Sequence, residues 1–412
     1  MGDISTTPSK FRIAIIGSGP IGKLLACSSI THPDVEIVQY EADKLPLRPS
    51  FGYGVGPQSL RGFKVANRQL GQKIYDACIT ARTFMRIYHA GDEDRLLAEP
   101  YMPDESVHGW IGRDELLELL DRDMPDSVGP VQYGKQLSSI AKVGDKVLLD
   151  FQDGSQDTVN AVWACDGLNS LCRKALQGFQ YRPPVYSGRI AFRGKVSSEK
   201  VTSELGVAFT EETYMFIGVQ GWHILTFPIL GGDVINIAAF CVEPEYKRLG
   251  RDAKLTKDDI LAYFPRRNKT ADMMLQLMID FTPGGCQRLD VTHLGQLGAF
   301  TSSELPITLF GDAANAMTPH IAGSMSTGIV GVATFILEWN SRLQTSKLEI
   351  ATTFNEASKI YDAKHRPVAQ ELVDRSFEQG GLWSGAITDA DKLMEHPKFL
   401  WHIADHLDLP EA

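Results

Sequence analysis

Gly17-Ser18-Gly19-Pro20-Ile21-Gly22 is the first stretch whose residue types and spacing could do chemistry. The apolar run Phe11 to Ile16 precedes it, a helical pattern (KLLACSSI) follows, and Val35 to Tyr40 reads as a second buried strand ending in Glu41. In a strand–turn–helix–strand unit of this kind, Gly17 permits the tight turn. Gly19 lets backbone approach a pyrophosphate, and Gly22 lets the helix lie against the sheet. The helix N-terminus adds free N–H groups and a positive dipole end. Glu41, at the tip of the second strand, can accept both hydroxyls of an adenosine ribose and disfavours a 2′-phosphate. The segment therefore reads as a site for FAD or NAD rather than NADP.

A second chemical stretch lies far downstream. In Ile307 to Asp312 (ITLFGD) a buried strand ends on a glycine turn before a helix. A carboxylate there can accept the hydroxyls of a ribityl chain, although Asp312 taken alone reads better as a plain N-cap worth about 1 kcal/mol. Ala313, Ala314 and Gly323 are small enough for a flat ring to lie on the backbone. His402 and His406 stand four apart, but no glutamate follows the first, so they read as a surface helix pair and not a zinc site.

Two further stretches complete the pattern: Cys165-Asp166-Gly167-Leu168-Asn169-Ser170-Leu171-Cys172-Arg173, and Gly54-Val55-Gly56-Pro57-Gln58. With the glycine turn and the Asp312 segment, which continues Ala313-Ala314-Asn315-Ala316-Met317-Thr318-Pro319-His320, they resemble the group A FAD-dependent monooxygenases. That is the salicylate and para-hydroxybenzoate hydroxylase family. The resemblance covers about residues 11–340 and implies FAD as cofactor, with NADPH or NADH as a reductant that visits the flavin transiently. It implies oxygen transfer through a flavin C4a-hydroperoxide to a small aromatic or indole-like natural product. It also implies roles: Gly54 in the flavin loop, Arg113 as a contact to FAD, and Asp166 and Gly167 near the pyrophosphate. Arg193, in Arg189 to Gly194 (RIAFRG), matches an arginine facing the ring cavity, where a permanent guanidinium could stabilise a phenolate, a carboxylate or a developing oxyanion. The bland alternative is a strand arginine paired with a surface acid. His320 could lie near the flavin ring, or be packed by local hydrogen bonds. Nothing selects Tyr214 or His223.

The chain departs from the family at identifiable places. Asn315 replaces a histidine, Ala322 and Ser324 stand at two glycine positions, and Val330-Gly331 stand where the family has Glu-Asp. These changes point either to a divergent hydroxylase or to a repurposed member, such as a flavin-dependent dehydrogenase or an isomerase or cyclase without net oxygenation.

The elements that must position these residues follow from periodicity. An amphipathic helix opens at Arg113, with leucines at 116, 117, 119 and 120, and β-like runs follow, punctuated by Gly144-Asp145 and Asp153-Gly154. From about 176 the pattern is mostly strands with a helical stretch at 256–280, and residues 328–370 have helical spacing. The expected architecture is α/β: a Rossmann-like FAD-binding domain of the para-hydroxybenzoate hydroxylase type (1–175 and 290–345). A mainly antiparallel β substrate domain (176–289) is inserted in it, and a C-terminal helical segment (346–412) follows.

Composition bounds the rest. With 412 residues, 43% hydrophobic and 22% charged, more than one packed unit is expected. A net charge of −10 disfavours nucleic acid and anionic membrane as main partners. Six scattered cysteines without a C-x-x-C pair read as reduced thiols. No secretory or membrane-spanning segment is read, so a cytoplasmic location is expected, with O2 and a small molecule as partners.

Overall fold

A computed structural model describes residues 10–28, 32–45, 51–81, 84–91, 95–100, 108–219, 221–245, 255–345, 349–386 and 389–411. At its centre, strand Phe11–Ile16 pairs in parallel with Val35–Tyr40 on one side and Ala161–Ala164 on the other, with Ile307–Leu309 beyond. Both faces of a parallel sheet are covered, so its strands are mostly apolar. Ala161, Val162, Trp163 and Ala164 are all fully buried. Helix Gly323–Thr345 covers one face and sets Phe335 and Trp339 edge-on to Trp163. Three strands reach this sheet from distant parts of the chain, so the glycine turn, the Asp166 loop and Asp312 all leave its carboxyl end together.

The second sheet has seven strands in the order Gln287–His293, Val185–Ser197, Val234–Val242, Trp222–Ile229, Tyr214–Ile217, Arg86–His89, Arg95–Ala98. The last two lie far upstream of 176, and Gln287–His293 runs past 289, so the sheet draws on more chain than the expected 176–289. Arg86–His89 is four residues long and pairs in parallel with Tyr214–Ile217. A short strand joined to a partner over a hundred residues away leaves no local pattern to read.

Register sorts this sheet into two faces, because side chains alternate along a strand. Ile190, Phe192, Ile224, Ile237 and Ala239 pack with Phe264, Met274 and Met278 from the segment carrying helices Lys257–Leu261 and Lys269–Phe281. The other face carries Arg189, Ala191 and Arg193, with Phe240 opposite Ala191 and His223 opposite Phe240. That face looks toward the flavin motifs.

The meander follows expectation: strands Leu137–Val143, Lys146–Phe151 and Gln156–Val159 turn at Gly144 and Gly154, both with positive φ. The helix opening at Arg113 runs to Arg122. Beyond Gly323–Thr345 come Ile350–Gly381, Ala390–Trp401 and Ile403–His406. Among the described residues no helix is long and apolar enough to cross a membrane.

Candidate active site

The glycine turn is built as its spacing implies. Gly17 has φ +99°, and a Cβ there would lie 2.3 Å from the Cys165 carbonyl oxygen, so conformation and crowding both demand glycine. A Cβ at Gly22 would lie 2.0 Å from the Gly17 carbonyl oxygen. One at Gly19 would meet nothing within 4 Å, which leaves open space where a pyrophosphate would approach. The Ser18 N–H donates to Glu41 Oε2 at 2.8 Å and the Asp43 N–H to Oε1 at 3.0 Å. Each oxygen keeps a lone pair for a ribose hydroxyl.

Asp312 follows Gly311, whose φ is +57°. Its side chain is accessible, yet surrounding protein is dense enough to desolvate the carboxyl, as at the floor of an open cleft. That desolvation raises its carboxyl pKa, while the Ser324 hydroxyl, which donates to Oδ1, and the Arg173 charge oppose the rise. Tyr53 stands in the same cleft, hydrogen-bonded to Arg113 and within the fields of Asp312 and Arg193. Arg193 also lies over the Phe51 ring, 5.5 Å from its centroid. Among the described residues it pairs with no acid; burial lowers its pKa and Tyr53 partly offsets that. The structure thus gathers Asp312, Arg113 and Arg193 around Tyr53, a residue that sequence reasoning missed. Tyr53 sits inside a glycine-dense stretch, where glycines drew the attention. Gly54 is buried opposite Trp110, and Gln58 and Ser59 tie this stretch to Ser326 at 3.2 and 2.7 Å.

Asp166 serves its own loop: Oδ1 accepts from the Ser170 hydroxyl at 2.6 Å and Oδ2 from the Cys172 N–H at 3.1 Å. Gly167 has φ +75° and open space around it, so it is required for conformation alone. Arg173 joins the two loops. Only 2% exposed, it donates to the Ala313 carbonyl at 2.8 Å and the Leu168 carbonyl at 2.6 Å. Its place in the motif was visible, but its role as a clamp required the fold.

His320 is buried, with neither ring nitrogen hydrogen-bonded, so local hydrogen bonds do not explain it. Its ring stands edge-on to His223 at 5.3 Å and to Phe240 at 5.2 Å, and Trp383 Nε1 donates to its carbonyl at 2.8 Å. Burial pushes the His223 pKa down to about 3 and that of His320 well below the usual histidine value, so both rings are neutral. Ala313 is buried, and Gly323 opens the long helix against Ile321 and Met317. Ala322, at a family glycine position, retains the left-handed backbone with φ +55°. At the missing Glu-Asp pair, a Cβ on Gly331 would lie 2.8 Å from His365 Nε2, so an imidazole from helix Ile350–Gly381 fills that space. His402 faces Asp405 at 3.5 Å and His406 stacks on Phe399 at 5.1 Å; among the described residues no group of side chains could hold a metal.

These features fit FAD: an open approach at Gly19, a held carboxylate at Glu41, and an accessible carboxylate at Asp312 inside a cleft. No family model matches the chain. It is 29% identical over 425 residues to the FAD-dependent monooxygenase orf3 of Aspergillus niger, covering 95% of this chain and 92% of that protein. It is 26% identical over 407 residues to the dual trans-enoyl reductase/FAD-dependent monooxygenase tazHJ of Aspergillus terreus, of whose length the chain spans 57%. A salicylate hydroxylase substrate complex superposes with a TM-score of 0.77 at 20% identity, covering 98% of this chain and 99% of that one. Motif order, fold and relatives agree along nearly its whole length: the chain is similar to FAD-dependent monooxygenases and shares the fold of salicylate hydroxylase.

Proposed function

We propose that this enzyme uses NADPH or NADH and O2 to hydroxylate or epoxidise a small aromatic or indole-like natural product. For hydroxylation the balance is substrate C–H, O2, NAD(P)H and a proton going to C–OH, water and NAD(P)+. The observation that carries this reading is that Arg113, Asp312 and Arg193 all act on Tyr53, with Arg193 lying over the neighbouring Phe51 ring. When bound, FAD accepts the reducing equivalents and activates oxygen. Glu41 would hold the adenosine ribose, Asp312 the ribityl hydroxyls, and the open backbone at Gly19 the pyrophosphate. Asp166, Gly167, Ala313 and Gly323 shape the loops around it, and Gly54 and Arg113 form the wall beyond. Arg193 faces the reacting end, where a guanidinium that stays charged can stabilise oxyanion character in the substrate. His320, neutral and buried, offers a ring N–H as donor and helps to exclude water.

The test is a visible spectrum of purified protein followed by NADPH or NADH under air with a panel of phenols and indoles. A flavin band near about 450 nm that bleaches faster with one compound supports the reading and ranks substrates. A yellow protein that neither nicotinamide reduces would favour a repurposed flavoprotein.

A further inference from the structure

The inner face of the seven-stranded sheet carries two arginines on one strand. Arg193 belongs to the cleft already described. Arg189, four residues earlier on the same face, stands roughly 13 Å away along the strand. Among the described residues its only hydrogen bond is a long one to the Ser187 carbonyl at 3.4 Å, and its guanidinium lies over the Phe377 ring at 5.4 Å. Among the described residues it forms no ion pair, and its Nε is buried without a partner. A half-buried cation with no counter-ion is costly to keep unless something else completes it.

Unpartnered donors surround it. His223 is 2% exposed with Nδ1 unpaired, and His320 is 6% exposed with both ring nitrogens unpaired. Native proteins satisfy most buried polar atoms, so unmet donors beside one free guanidinium call for an acceptor. His293 stacks on Phe377 at 5.0 Å and completes the wall. The carboxylate on this side, Asp374, acts on His293 and accepts from Gln370 at 3.0 Å. The end of helix Ile350–Gly381 meets the cluster with two glycines. A Cβ on Gly380 would lie 2.4 Å from His320 Cδ2, and one on Gly381 3.7 Å from Arg189 Nη2.

We propose that Arg189 and the ring N–H groups of His223 and His320 form an anion-accepting subsite for an acidic oxygen group of the substrate. That group is a carboxylate, or a phenol or enol ionised in place. The subsite would anchor one end of the molecule while the other extends toward Arg193. It thus deepens the oxygenase reading and rests on it.

Calorimetry on the FAD-loaded enzyme tests the subsite with two matched pairs: benzoate against benzamide, and 4-nitrophenolate against 4-nitroanisole. In at least one pair the anion is expected to bind about tenfold tighter than its neutral partner; the pair that discriminates identifies the acid. Arg189→Met should abolish the preference, and Arg189→Lys should keep part of it. His223→Phe preserves ring packing and should reduce the preference, which provides a second variant if Arg189→Met fails to fold. Equal binding within both pairs, or no binding of either anion, would overturn the proposal. So would a preference that survives Arg189→Met but vanishes in Arg193→Met. Flavin content and NAD(P)H oxidation of the same samples separate the two levels. A reducible holoenzyme without anion preference sinks the subsite alone, whereas a protein without flavin sinks the oxygenase reading.

Discussion

Asp312 and Arg173 divide the work at the flavin loops. Asp312 presents an accessible carboxylate to the cleft, whereas Arg173 is buried and holds two backbone carbonyls from different loops. Asp312→Ala is therefore expected to fold with an unchanged melting temperature in the apo form, yet to purify with little flavin, as the ratio of visible to ultraviolet absorbance will show. Arg173→Met should instead destabilise the apoprotein by roughly 2–4 kcal/mol in urea unfolding, because two charge-assisted hydrogen bonds disappear. Ala322 offers a test in the opposite direction. Its backbone at φ +55° is costly for a residue with a Cβ, so Ala322→Gly should gain about 1 kcal/mol in the same assay.

Helix Ile350–Gly381 is the element that the sequence motifs left unplaced. It lies along Gly323–Thr345, supplies His365 to the space beside Gly331, and ends at His320 and Arg189. Tyr361 on the same helix donates to the Leu309 carbonyl at 3.1 Å, which fastens it to the parallel sheet. Because Gly380 leaves no room for a side chain, Gly380→Val must displace His320. That variant should retain its flavin, because it leaves Glu41 and Asp312, the proposed contacts to FAD, untouched. It should lose the stimulation of NAD(P)H oxidation by substrate, a split that stopped-flow reduction would expose.

Across the whole molecule, buried neutral histidines set the response to acid. Burial lowers the pKa of His223 and His365 from 6.5 to about 3, and that of His320 well below 6.5. Between pH 6.5 and 3 the unfolded chain binds protons that the native state refuses, so stability rises with pH across this window and falls on acidification. Each such histidine contributes about 1.4 kcal/mol per pH unit inside it. Melting temperature should therefore drop steeply below pH 6, and His365→Phe should flatten the slope. An unchanged slope in that variant would show that His365 is protonated in the native state.

Local spacing alone determined the nucleotide-binding half of this protein. Phe11–Ile16, the turn through Gly22, Val35–Tyr40 and Glu41 are consecutive; Gly17 and Gly22 answer backbone constraints set within a few residues or by the neighbouring strand, and Gly19 keeps the space before the helix open. The same holds for the helix from Arg113 and the turns at Gly144 and Gly154. Motif order added Asp312 and Arg193, although their shared cleft required three strands to converge from distant parts of the chain. Only the tertiary structure decided what lies opposite the flavin motifs. Tyr53, Arg189 and His223 follow no local pattern, since facing the cleft depends on sheet register and on which helix covers which face. The recruitment of Arg86–His89 into the second sheet and of Gly380 against His320 are likewise long-range pairings. Their sequences carry no periodic trace, because the forces that place them come from partners a hundred or more residues away in one case and sixty in the other.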